Sequence, residues 1–194
     1  MFSSGNALSQ DNYSKVDQIF HQIALGGRAT PELFFDLETS FFGKNLPDVS
    51  QGKHVFVSGL ARAGTTVLMR LLHSTEEFAS LTYRDMPLVM APNLWSKLSS
   101  GKEKQGVEAE RAHGDGLSVS FDSPEALEEV FWRTFSGKDY IQADQLVPMQ
   151  ASDEALINFR QYVSLILKRY DRTRYLSKNN NSILRLPSLC RAFP

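Results

Sequence analysis

Apolar residues recur along the chain at two different spacings, and the spacing changes where the element type is expected to change. Val16, Ile19, Phe20 and Ile23 stand at i, i+3, i+4 and i+7, which predicts an amphipathic helix over 12–25, ended by Gly26-Gly27. Thr30 and Pro31 suit a helix cap and first turn, and Leu33, Phe34, Leu37 and Phe41 continue a second helix as far as Gly43. These two helices are expected to cover a sheet. Val55-Phe56-Val57 is a short run of strand composition, followed by Gly59, Gly64 and a helical pattern with Leu68, Leu71 and Leu72 on one side. Phe78 to Tyr83 reads as a second strand, and a helix interrupted at Pro92 follows Met86-Pro87.

The pattern breaks over 99–118, where charged and glycine-punctuated sequence predicts a long surface loop of the kind that often binds or covers a ligand. Ser123-Pro124-Glu125 then has the signature of a helix start, with Leu127, Val130, Phe131 and Phe135 as the buried face and Glu128 and Glu129 as solvated charges. Residues 136–150 read as irregular. Ser152-Asp153-Glu154 caps the longest helix, about 153–170, in which Leu156, Phe159, Val163, Ile166 and Tyr170 share a face. Arg174 to Lys178 is a strand reached through that helix, and a last helix runs from Ile183 to Phe193. A strand, a helical crossover and another strand imply a parallel sheet, so the class is α/β.

Composition narrows the function classes. The chain has 194 residues, 42% of them hydrophobic and 22% charged, which suits one globular domain over 1–194 with a loose segment at 1–10. A formal net charge of −1 gives no global electrostatic case for nucleic acid or an anionic membrane. No apolar run approaches the roughly 20 residues that span a bilayer, and the start lacks a basic and apolar leader. The single cysteine, Cys190, reads as a small apolar helix residue in a reducing compartment, so a cytoplasmic setting is expected. His21, His54 and His73 read as ordinary helix or strand-edge residues, and no cluster has metal-ligand spacing, so no metal site is expected.

The chemistry concentrates at 54–72. A strand, a glycine-rich turn and a helix present unpaired first-turn N–H groups and the positive end of a helix dipole to an anion. Gly59 and Gly64 have the spacing of the ATP-binding loop G-x-x-x-x-G-K-[ST]. Thr65 and Thr66 stand where that loop has Lys and Ser or Thr, and the positive charge lies inside the turn on Arg62. The plainer alternative is that both glycines serve only the turn.

The variant G-x-x-R-x-G-T-T before an apolar helix resembles the sulfotransferase superfamily, closest in motif to the tyrosylprotein sulfotransferases and bacterial sulfotransferase-like proteins. The likeness covers 54–92 and 122–194 and is sharpest at 59–66 and 178–194. It implies a P-loop-like three-layer fold with a central parallel sheet flanked by helices. It also implies that Gly59, Ala61, Arg62, Ala63, Gly64, Thr65 and Thr66 hold the 5′-phosphosulfate end of 3′-phosphoadenosine-5′-phosphosulfate (PAPS), without a metal. Lys178 matches the family's lysine that touches the bridging oxygen and sulfonate, although the family's Lys-x-Pro is Lys178-Asn179-Asn180 here. A general base is expected about where Asp85 lies, one or two residues out of step with the family's Glu. The pair Arg84-Asp85 reads equally well as a helix cap, and His113, in the 99–118 loop, is the competing base.

The family's 3′-phosphate-binding strand would begin past Pro194, so the chain reads as the N-terminal portion of the fold. The expected reaction is sulfonyl transfer from PAPS to a hydroxyl or amine, with small-molecule, glycan and peptide acceptors all open. Two other readings are a divergent P-loop nucleotide kinase or NTPase and a non-catalytic nucleotide-binding fragment.

Overall fold

The computed structural model describes residues 29–99, 109–110, 118–119 and 122–194, with side chains over 30–99 and 122–194. The predicted helix at 12–25 lies outside the described residues. Helix α1 is Ala29–Phe42 and strand β1 is Val55–Val57. Helix α2 is Thr65–His73 and strand β2 is Phe78–Ala79. A 3-10 turn at Tyr83–Asp85 precedes helix α3, Pro92–Ser99. Strands β3 and β4, Ala109–Glu110 and Ser118–Val119, pair antiparallel, so the region read as a long surface loop contributes two short paired strands. Helices α4 and α5 are Glu129–Tyr140 and Asp153–Tyr170, and strand β5 is Arg174–Lys178. A 3-10 stretch, Asn180–Arg185, runs into helix α6, Leu186–Ala192.

The main sheet is parallel, in the order β1-β5-β2. Val55, Phe56 and Val57 stand opposite Leu176, Ser177 and Lys178. Successive strand residues point to opposite faces, and the two faces carry different cores. Val57, Phe78 and Leu176 pack with Met69 of α2 on one side. Phe56, Ala79 and Tyr175 join the larger core on the other, with Phe131 and Trp132 of α4 and Phe159, Tyr162 and Ile166 of α5. Helices on both faces of a parallel sheet give the α/β class and three-layer arrangement expected from the sequence.

Helix α5 forms as its pattern predicts. The Ser152 hydroxyl accepts from the Ala155 amide, and Leu156, Phe159, Val163 and Ile166 are buried. Its Lys168 ammonium donates to the carbonyls of Phe42, the last residue of α1, and Lys44, just past it.

Four local expectations need correction. Helix α4 starts at Glu129, because 123–125 are extended against the end of β2: Thr82 bridges Pro124, and the Glu125 amide donates to the Leu81 carbonyl. The same helix continues through Gly137 to Tyr140, into the stretch read as irregular. Pro92 opens α3 rather than interrupting it, as a proline at the first turn can. Buried Glu38 of α1 supplies the missing acceptors there, taking hydrogen bonds from the amides of Asn93 and Leu94. In α2 the buried residue is Met69, at 1% exposure, while Leu68 and Leu71 are 47% and 66% exposed. The turn out of β1 sets the rotation of this short helix, and the sequence pattern does not encode that rotation.

Candidate functional site

The three parallel strands deliver their C-terminal ends to one edge, where ligands bind in open α/β sheets. β1 ends in the glycine loop. Gly64 has φ 78° and ψ 8°, and a Cβ there meets no atom within 4 Å, so it is the left-handed backbone that calls for glycine. At Gly59 the constraint is space, since an added Cβ would lie 3.0 Å from Thr65 Cγ2. Arg62 also has positive φ, 68°, an uncommon conformation for a residue with a side chain. The Ala63 amide donates to the Leu60 carbonyl, and the Leu68 amide to the Gly64 carbonyl. Among the described residues, the first-turn amides of Thr65 and Val67 have no backbone acceptor. Ala61, Arg62, Ala63 and Gly64 are exposed, and Thr65 and Thr66 are half-buried.

β5 brings Lys178 to the same edge. Lys178 stands opposite Val57, the last strand residue before the loop. It shares the parity of Leu176, which faces α2, so strand alternation places Lys178 on the face from which the loop and α2 rise. The two connections are laced together: the Asn179 amide donates to the Val57 carbonyl at 3.0 Å, and the Ser58 hydroxyl to the Asn180 carbonyl at 3.2 Å. Among the described residues neither Arg62 nor Lys178 forms an ion pair. Two cations that ion-pair with no described residue, and the amides of Thr65 and Val67 at the start of α2, lie at one end of the sheet and are a chemical fit for a phosphate-bearing anion.

Asp85 is turned inward. It is 1% exposed, and its carboxylate accepts from the Thr82 amide and the Tyr170 hydroxyl, with the Arg169 guanidinium 4.0 Å away. Burial pushes its pKa up, and those hydrogen bonds pull against the rise. The residue closes a capping box on the Tyr83–Asp85 turn, while Arg84 forms a two-pronged ion pair with Asp122 at 2.7 and 2.9 Å. His113 lies outside the described residues.

Glu128 and Glu129, expected as solvated charges, are instead the polar centre of the α4–β5 contact. Glu128, 2% exposed, accepts from Trp132 Nε1 at 2.8 Å and the Tyr175 hydroxyl at 3.0 Å; burial raises its pKa. Glu129 accepts from the Tyr140 hydroxyl, Asn179 Nδ2 at 2.6 Å, Asn181 Nδ2 at 3.0 Å and Arg185 Nη2 at 2.9 Å. Arg185, wholly buried, lies over the rings of Trp132 and Tyr140, 5.0 and 4.8 Å from their centroids. The sequence signal available was an arginine inside an otherwise apolar stretch and three consecutive asparagines after a strand. Cys190, read as a small apolar helix residue, lies on α6 and is exposed.

A shallow cavity of about 390 Å³ lined by Asp48, Gly52, Lys53 and Arg174 lies beside the starts of β1 and β5, at the edge of the sheet opposite Lys178. No helix among the described residues is long and apolar enough to cross a membrane.

A family model described as "Sulfotransferase family" matches residues 54–194, from the start of β1 to the last residue. No curated protein and no solved structure matches the chain.

Proposed function

Because the chain belongs to the sulfotransferase family, we propose that it moves a sulfonyl group from PAPS to a hydroxyl or amine of a small-molecule, glycan or peptide acceptor, and that it does so without a divalent metal. The observation that supports this reading is the register of Lys178 opposite Val57, the last strand residue before the glycine loop: a lysine that ion-pairs with no described residue stands at the same sheet end from which the exposed loop residues 61–64, Arg62 among them, depart.

PAPS supplies an electrophilic sulfur with a phosphate oxygen as leaving group. The loop amides over 61–66, apart from that of Ala63, which donates to the Leu60 carbonyl, and the hydroxyls of Thr65 and Thr66 are suited to the 5′-phosphate. Arg62 adds charge at the mouth of the loop. Lys178 stabilises the negative charge that develops on the bridging oxygen as the S–O bond breaks and its electron pair passes to the phosphate. Holding donor and acceptor in line supplies the remaining advantage. We extend the proposal to a cytoplasmic setting on the strength of the lone cysteine.

Transfer from labelled PAPS is the test. It should persist in EDTA and fall about 10- to 100-fold in Arg62→Ala, the size of one charge-assisted contact. Transfer that stops on chelation, or is indifferent to Arg62, contradicts the scheme. Asp85 and His113 remain the two proposed bases, and Asp85→Asn separates them. The buried, capped carboxylate supports an outcome in which Asp85→Asn lowers stability by about 1–3 kcal/mol while the folded fraction keeps its turnover. Lost turnover at unchanged stability would instead make Asp85 the base.

A further inference from the structure

Resting on that reading, we infer that Glu129 is the positioning residue for Lys178. Its carboxylate anchors the turn on which the lysine is presented. The side chains of Ser177 and Asn179 point away from α2, toward α4, and those of Leu176 and Lys178 point toward it. Asn179, next to Lys178, is held by Glu129 at 2.6 Å, and Asn181 by the same carboxylate at 3.0 Å. Asn179 in turn folds the following turn, its Oδ1 accepting from the Asn181 amide at 3.0 Å and its carbonyl from the Ser182 amide at 3.0 Å. A carboxylate has about four lone-pair sites, and here Tyr140, Asn179, Asn181 and Arg185 fill them. Glu129 therefore has no lone pair aimed at an acceptor's proton. It acts on the reaction through the backbone of 178–181, setting where the Lys178 ammonium meets the leaving oxygen.

The acceptor is unidentified, so the test uses PAPS with water as acceptor. Water oxygen bonds to sulfur, the S–O bond to phosphate breaks, adenosine 3′,5′-bisphosphate leaves with the electron pair, and a proton goes to solvent. Glu129→Gln keeps the shape but sets an NH₂ against donors. It should speed amide exchange at 179–182 and lower kcat on the order of 10- to 100-fold with little change in the KM for PAPS, since the glycine loop is untouched. In a Lys178→Ala background the same change should cost less than about 2-fold in kcat, because two residues acting as a unit do not add. Where Glu129→Gln does not fold, Asn181→Ala removes a single tether and is read in the same way. Unchanged exchange overturns the inference, and so does a kcat loss that is as large without Lys178 as with it. Absence of PAPS turnover from the unmodified protein would instead count against the sulfonyl-transfer reading, and the exchange at 179–182 would then decide the anchoring.

Discussion

Lys178→Ala is expected to lower the rate of sulfonyl transfer from PAPS by about 10²- to 10³-fold, the scale for removing one preorganised group that meets charge as it develops. The loss should fall on kcat, because the ammonium is needed most when the bridging oxygen takes up negative charge, and an interaction made only in the transition state leaves KM nearly unchanged. The fold should tolerate the change. Lys178 is half-buried at a strand end and ion-pairs with nothing among the described residues, so stability should move by no more than about 0.5 kcal/mol. Saturation kinetics and a denaturant melt on the same preparation check both halves. A variant that keeps its rate, or loses it through unfolding, removes Lys178 from the scheme.

Arg185→Ala is expected to give the largest stability loss, about 3–5 kcal/mol, the range for breaking a buried ion pair from one side. The guanidinium is fully buried, pairs with Glu129 at 2.9 Å and fills the space between Trp132 and Tyr140. Its removal leaves a cavity between two large rings and withdraws the cation from Glu129. Two observations pull toward the lower end of the range: Arg185 Nε and Nη1 have no partner of their own, and Glu129 retains three other donors. Arg185→Met separates the two contributions, because it keeps most of the volume and loses only the charge. Urea unfolding of both variants should show methionine recovering part of the loss; a stability equal to that of the unmodified protein in both would mean that the pair contributes nothing net.

How much of this was legible in the sequence depended on whether a residue's partner was near in the chain. Helix α5 was plain because its cap and its buried face repeat within the segment itself. The loop was plain because Gly59 and Gly64 answer to local space and backbone geometry. β5 was plain because it follows a capped helix. The start of α4 was not, since Pro124 is held by Thr82, a residue 42 positions earlier whose pairing no local propensity reports. Glu128 and Glu129 looked like ordinary acids of a helix's first turn; their partners Tyr175, Asn179, Asn181 and Arg185 lie 47 to 56 positions away. Asp85 shows the same limit. Its position after β2 suggested chemistry, but Tyr170, 85 positions on, turns its carboxylate inward. Long-range side-chain partners decide which acids are turned inward, and only the fold supplies those partners.

Isothermal titration of the unmodified protein with adenosine 3′,5′-bisphosphate and with ATP–Mg²⁺ tests the cationic loop most directly. The account predicts that the bisphosphate binds in EDTA, that Arg62→Ala weakens it, and that ATP–Mg²⁺ binds more weakly. Tighter binding of ATP–Mg²⁺, abolished by chelation and unaffected at Arg62, would contradict it.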